Sequence, residues 1–421
     1  MPLMQSWVTS ANTAETPFPL NNLPYGVFSV GDENPRCGVA IGDMILDLAA
    51  VEAEGLIKIG DTPIFNLPYW NDLMELGPDA WAACRNALVN LLSIDSTEIQ
   101  RLRAMLVRQD EAELHIPFAV SEYTDFYAGK QHAQNMGEIL RGSPDLPANW
   151  LHIPIGYNGR ASSVVVSGTD IHRPLGQTKA PDATAPSFGP SKRLDIELEM
   201  GAIVGTPSAM GQPITVGEAD AMIFGYVLLN DWSARDIQGW EYQPLGPFQG
   251  KAFGTTISPW IVTAAALEPF RTDTPDRDLP LLPYLSEERP GLYDIELEVL
   301  IQPAGVDQSM VLARTNYSRM YYSAAQQLCH HAVGGCGMNA GDLLGSGTIS
   351  GPTRDEFGSL MELSWAGQKP ITLDSGETRT FIEDGDTLTL RGRATGDGYQ
   401  IGFGACTGTV LPAKNFPGDE A

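Results

Sequence analysis

Residues 226 to 256, YVLLNDWSARDIQGWEYQPLGPFQGKAFGTT, hold more chargeable and rigid aromatic side chains than a turn requires. The apolar run from Met222 to Leu229 reads as a strand that delivers Asn230 and Asp231 to its end. Arg235, Asp236, Gln238, Glu241, Tyr242 and Lys251 follow, interleaved with Trp232, Trp240 and a Gly/Pro-rich bend. Polar groups converging at the end of a buried strand are how a scaffold presents a site. The bland alternative is a surface loop whose tryptophans pack on the core and whose Arg235–Asp236 pair is solvated.

A second signal is LDIELEM, residues 194 to 200. Alternation sends Leu194, Ile196, Leu198 and Met200 to one face and Asp195, Glu197 and Glu199 to the other. Carboxylates two apart on one strand face lie roughly 7 Å from each other and repel if that face is buried, so the simplest expectation is a solvated outer strand. Asp231 and Asp125 are the candidates that change this balance. Three or four such oxygen donors meeting at a point would suit a hard cation, Mg²⁺ or Ca²⁺, because thiolates and imidazoles are absent from the set. His132, seven residues after Asp125, is the best general base, in competition with His115, His152, His172, His330 and His331. A zinc site from Cys329, His330, His331 and Cys336 fails on spacing, since adjacent helix residues point in different directions. The chain has no Gly-x-Ser-x-Gly elbow. GSGTISGP (345 to 352) lacks the Gly-Lys-Ser/Thr ending of a phosphate-binding loop.

The elements that must position these groups are mainly β. The 421 residues are 43% hydrophobic and 19% charged, with 44 Gly and 31 Pro favouring turns and short strands. Two domains are expected, 1–118 and 119–421. The first holds short strands at Gly26 to Val30, Gly38 to Ile41 and Met44 to Leu48, with Gly42-Asp43 as a tight turn. Pro78-Asp79 opens an amphipathic helix carrying Trp81, Leu88, Leu91 and Leu92. Ser96 opens another, with Ile99, Leu102 and Leu106 inward and Arg101, Arg103 and Arg108 outward. The second domain reads as many short strands closed on themselves, with one clear long helix from Ser318 to His331 and a long surface loop from Leu267 to Pro290. The formal net charge of −26 argues against nucleic acid or an anionic membrane as partner. No basic-then-apolar leader and no apolar run of ~20 residues is present. Five scattered cysteines suit reduced thiols in the cytoplasm.

DFYAGKQHAQNMGEILRG, GYNGRASSVVVSGT, LDIELEM, the long 226–256 motif, GSGTISGP and DGDTLTLRG…GFG together resemble the fumarylacetoacetase (fumarylacetoacetate hydrolase) family, nearly end to end. The resemblance implies a small SH3-like N-terminal barrel domain, a larger β-roll catalytic domain and a homodimer. It implies that Asp125, Glu197, Glu199 and Asp231 are metal ligands, with Lys251 and Thr255 in the same metal region. By the same matching His132 is the base, Glu362 in SLMELSW orients it, and Arg235, Gln238 and Lys251 surround an oxyanion. Tyr127, Arg141, Tyr157, Gln238, Tyr242 and Thr348 match substrate contacts. The implied reaction is hydrolysis of 4-fumarylacetoacetate to fumarate and acetoacetate, the last step of tyrosine and phenylalanine catabolism.

Elementary chemistry asks for the same parts. Hydrolysing a carbon–carbon bond beside a carbonyl needs a sink for the departing carbanion, and a 1,3-diketone chelated to a divalent cation leaves as an enolate. Water must lose a proton as it attacks, and the resulting alkoxide needs donors aimed at it. Two other readings fit the carboxylate pattern: an acylpyruvate hydrolase or 2-oxo acid decarboxylase of the same superfamily, and a metal-stabilised binding protein without catalysis.

Overall fold

The computed structural model describes residues 2–417 and is mainly β. An N-terminal five-stranded antiparallel sheet runs in the order Leu106–Arg108, Met44–Asp47, Arg36–Ile41, Tyr25–Ser29, Glu113–His115. Gly42, at φ +59°, makes the turn between its second and third strands in sequence, a conformation glycine adopts without steric cost. Helix Pro78–Leu92 buries Leu88, Leu91 and Leu92 as its spacing predicts, with Trp81 half-buried. The helix expected from Ser96 does not continue. It is one α turn, Ile99–Leu102, then a 3-10 turn, Arg103–Met105, and Leu106–Arg108 pairs instead with Met44–Leu46. A short isolated helix is marginal, and a free sheet edge offers its backbone better partners.

The larger part of the chain is built on an eight-stranded mixed sheet. Its path is Gly156–Asn158, Tyr123–Phe126, Leu343–Gly345, Leu198–Val204, Ile223–Asp231, Thr255–Ile257, Val164–Val166, and Val262–Thr263 also pairs with Ile223–Asp231. A six-stranded sheet centred on Glu296–Gln302 and Thr387–Thr395 packs against it. Ile223–Asp231 is buried at every position, which is why its sequence is continuously apolar rather than alternating. Tyr226 and Leu228 join the core shared with Leu297, Leu388 and Leu390. Val227 and Leu229 face the other way, into a core shared with Val27, Val39, Leu88 and Trp70 of the N-terminal sheet and its helices. The N-terminal strands are thus the packing partner of one face of the sheet that carries Asp231.

Two further helix readings are corrected. Lys130–Arg141 is a twelve-residue helix absent from the periodicity reading, because the residues it buries include His132 and Asn135 rather than an apolar stripe. The helix expected from Ser318 begins at Ala324 and runs to Ala332. Before it lies a 3-10 turn, Tyr317–Arg319, and Ser323 and Gln326 form a capping box that sets the start. LDIELEM is not a single strand: it is split into Leu194–Asp195 and Leu198–Val204, and neither face is solvated.

Trp260 links the two sheets. Its ring fills the space over Gly26 and packs on Phe18 at 5.9 Å between centroids, in a cluster with Phe28 and Ile45. Trp260→Ala opens a cavity there and is expected to cost about 3–5 kcal/mol, read as a lower urea midpoint with one cooperative transition.

Candidate active site

Neighbouring strands of the eight-stranded sheet bring the acidic residues together. Asp125 lies on Tyr123–Phe126, Gly345 is its register partner on the next strand, Glu199 is the second residue of the strand after that, and Asp231 ends Ile223–Asp231 opposite Thr255. Glu197 joins them from the break between Leu194–Asp195 and Leu198–Val204. One oxygen from each of Asp125, Glu197, Glu199 and Asp231 lies within 4.8 Å of every other, and all four side chains are buried. The expectation of a solvated acidic strand face is therefore overturned. Gly345 makes the gathering possible: a Cβ there would sit 2.9 Å from Glu199 Oε2 and 3.1 Å from Asp125 Oδ1.

Two buried cations offset part of this charge. Lys251 Nζ donates to Glu197 Oε2 and to Asp231 Oδ2, at 2.5 Å each, and Arg235 Nη1 reaches Glu197 Oε1 at 2.7 Å. Burial alone would raise Glu197, but Lys251 and Arg235 outweigh it and hold this carboxyl well below the usual range. Asp231 touches only Lys251 of the two and stays raised, burial being the larger effect. Asp125 and Glu199 are pushed well up, first by burial and then by neighbouring carboxylates. Asp125 Oδ1 and Glu199 Oε1 have no hydrogen-bond partner, while Gly347 N–H donates to Glu199 Oε2 at 2.9 Å. Orphaned, buried oxygens converging with no thiol or imidazole among them are the donor set of a hard divalent cation. The residues fit such an ion.

Across from the carboxylates stands His132, on the inward face of Lys130–Arg141. Its Nδ1 is 2.7 Å from Glu362 Oε2, and its Nε2 faces Glu197 Oε1 at 4.0 Å. Glu362 also accepts from Asn135 Nδ2 (2.8 Å), Ser350 Oγ (3.0 Å) and Ser359 Oγ (2.8 Å). Burial would raise this carboxyl, yet His132 and these donors hold it lowered, hence ionised. An ionised acceptor at Nδ1 requires that Nδ1 carry the proton; in the neutral imidazole that tautomer presents the Nε2 lone pair to the acidic cluster.

Other candidates fall into two groups. Tyr157 pairs with Asp125 across the sheet edge and donates to Asp231 Oδ2 at 3.4 Å, and Thr255 Oγ1 is 3.3 Å from Asp231 Oδ1. Tyr127 stands edge-on to the His132 ring, 5.5 Å between centroids. Gln238 Oε1 accepts from Arg235 Nη1 at 3.3 Å. Thr348 is buried with an unpartnered hydroxyl, as is Arg235 Nη2. Arg141 and Tyr242 stay outside this buried set: Arg141 is exposed and donates to the Asp145 carbonyl, and Tyr242, 45% exposed, bonds to Gln243. The Cys/His group is structural, His330 meeting Tyr284 and His331 meeting Thr124, with Cys329 buried and Cys336 exposed.

Four residues were missed as parts of the site. Asp195 was read only as a member of an alternating face. Asn135, three residues after His132, carries the helical spacing that puts it on the same face. Ser350 and Ser359 left no signal, because single serines in glycine-rich turns are ordinary. GSGTISGP, unreadable as a nucleotide loop, supplies Gly345, the Gly347 N–H, Thr348 and Ser350 to this one site.

Cation uptake should release protons from the raised carboxyls, so affinity falls as pH falls. Titration calorimetry with Mg²⁺ or Ca²⁺ in two buffers of different ionisation enthalpy should show that release shrinking as pH rises. Glu199→Ala is expected to lower the bound cation stoichiometry to near zero.

Two family models match: "Fumarylacetoacetate (FAA) hydrolase C-terminal" over residues 122–411 and "Fumarylacetoacetase N-terminal" over residues 21–117. Among similar proteins, the fumarylacetoacetase of Homo sapiens is 50% identical over 95% of this chain and 97% of its own length. That of Arabidopsis thaliana is 48% identical over 98% of this chain and 100% of its own. The solved fumarylacetoacetate hydrolase of psychrophilic Exiguobacterium antarcticum shares the fold, with a TM-score of 0.53 and 17% identity over 93% of this chain and 100% of that one. On identity over nearly its whole length and on both family models, the chain belongs to the fumarylacetoacetase family.

Proposed function

We propose that this chain hydrolyses the carbon–carbon bond of 4-fumarylacetoacetate to give fumarate and acetoacetate. The reading rests on the relatives named above, and one observation carries it: His132 is fixed by Glu362 at Nδ1 with Nε2 free beside four buried carboxylates. Asp125, Glu197, Glu199 and Asp231 would hold Mg²⁺ or Ca²⁺, with Lys251 and Thr255 bordering them. When bound, that cation supplies an electron sink for the two ketone oxygens of the substrate as the bond breaks.

His132 Nε2 takes a proton from the attacking water, and Glu362 stabilises the resulting imidazolium. Oxygen adds to the carbonyl beside the scissile bond. The unpartnered Arg235 Nη2, the Lys251 ammonium and the Gln238 amide are the donors for the alkoxide that forms. Both cations are held above their ordinary pKa: burial would lower them, but the surrounding carboxylates outweigh it, so they stay charged. As the carbon–carbon bond breaks, the proton on Nε2 passes to the leaving carbon, which balances the hydrolysis. Tyr127, Tyr157 and Thr348 line the space at the base, and Arg141 and Tyr242 complete substrate recognition from their outer positions.

The divisions 1–118 and 119–421 are proposed as the two domains. A homodimer is proposed as well, supported by the exposed apolar run Trp240, Tyr242, Leu245 and Phe248 (42%, 45%, 94% and 64% exposed). Among the described residues no helix is long and apolar enough to cross a membrane, and a cytoplasmic location is proposed on the free cysteines.

An absorbance assay on fumarylacetoacetate should show turnover that a chelator abolishes and Mg²⁺ or Ca²⁺ restores; no turnover with the cation present overturns the reading. His132→Ala should lower kcat by about 10²–10⁴ with cation stoichiometry unchanged. Near-native kcat removes His132 as the base.

A further inference from the structure

The structure assigns to Asp195 the part of a positioning residue that locks the oxyanion guanidinium and the base-orienting carboxylate into one rigid unit. The inference rests on the reading above of Arg235 and Glu362. Asp195 is fully buried and offers its carboxylate to groups from two distant parts of the chain. Oδ2 accepts Arg235 Nε at 2.8 Å. Oδ1 accepts the Leu360 N–H at 2.7 Å, and Oδ2 accepts the Met361 N–H at 3.0 Å. Those two amides open the short turn Leu360–Leu363, whose next residue after Met361 is Glu362. The Ile196 N–H completes the set at 2.8 Å.

Among the described residues no other side chain bonds both Arg235 and the Leu360–Leu363 turn. With Nε on Asp195 and Nη1 on Glu197 Oε1, the guanidinium plane is fixed by two points, and the remaining Nη2 is buried without a partner. Planar two-point anchoring is what a guanidinium offers that an ammonium does not. At the other end, Glu362 reaches His132 only if its turn sits where the Leu360 and Met361 amides are held. A small shift of either group misaligns donors that must be in place before the reaction. Asp195 touches neither the acidic oxygens at the centre nor His132, so its effect travels through Arg235 and through the Glu362 turn.

Asp195→Asn is the isosteric test. With its oxygen at the Oδ1 position the amide still accepts from Leu360 and Ile196, but its nitrogen confronts Arg235 Nε and the Met361 N–H donor to donor; flipped, it confronts the Leu360 and Ile196 N–H groups, so either orientation breaks one of the two links. We expect kcat to fall about 100-fold, the loss typical of one misplaced oxyanion donor, with KM and bound cation within about twofold of native. Placed on Arg235→Gln, the same change should cost far less than it does alone, because residues acting as one unit are non-additive. Equal factors in both backgrounds, or a change confined to KM, overturn the proposal. Should Asp195→Asn not fold, hydrogen exchange in Arg235→Gln decides. Loss of the guanidinium should loosen Asp195 and speed exchange in the peptide covering Ser359 to Leu363, and unchanged exchange there overturns the coupling. This second arm does not depend on turnover. Absence of fumarylacetoacetate hydrolysis by the native chain would refute the function while exchange still tests Asp195.

Discussion

Four carboxylates crowded into a buried pocket repel one another and lose solvent exposure, and the rest of the molecule is arranged around that conflict. Like charges a few ångströms apart at low dielectric cannot all stay ionised unless something opposes them. Here the opposition is graded. Glu197 meets both Arg235 and Lys251 and remains an anion, Asp231 shares only Lys251, and Asp125 and Glu199 meet neither cation directly. The unpartnered oxygens on the last two are where the pocket is most in need of positive charge. A site built this way could hold a metal ion, whose positive charge would offset the carboxylates.

Holding such a pocket closed requires rigidity that its own residues do not supply. Adjacent strands, paired in register, place the acidic groups to within the spacing of a hydrogen-bond ladder. The central strand Ile223–Asp231 is buried on both faces, by the second sheet on one side and by the N-terminal sheet and its helices on the other. Among the described residues the N-terminal part places none in the acidic cluster, yet it forms one wall of the core on which Asp231 is mounted. Backbone at Gly345 and Gly347 does the rest, one by leaving room and the other by donating.

Local charge also eases a difficulty raised by the whole chain. A protein with a formal net charge of −26 repels an anionic diketo acid at long range. Arg235 and Lys251 offset part of the negative charge inside the pocket, where a bound cation would offset more. The long-range field is screened by salt over roughly 10 Å, whereas buried pairs are not. Recognition is therefore decided at contact distance.

How much of this could be read beforehand differs from residue to residue. The apolar run ending in Asn230-Asp231, the alternation Asp195-Glu197-Glu199 and the spacing from Asp125 to His132 are local patterns, and local patterns survive in a single sequence. They sufficed to nominate the acidic residues and His132 as candidates and to give a mainly β architecture; resemblance assigned their roles and added Glu362, which is 230 residues from His132. Periodicity failed where the inward face is polar, as at Lys130–Arg141, since that method recognises helices by their apolar stripe. It failed again at Leu106–Arg108, where a sheet edge outcompeted the continuation of a short helix. Solvation of the LDIELEM face, the linking role of Asp195 and the donors Asn135, Ser350 and Ser359 depend on which distant segments cover which surface. Chemistry of the groups is a property of their types and order along the chain; their burial, their partners and the charge they bear are properties of the packed whole, because only packing decides who is near and how much water remains.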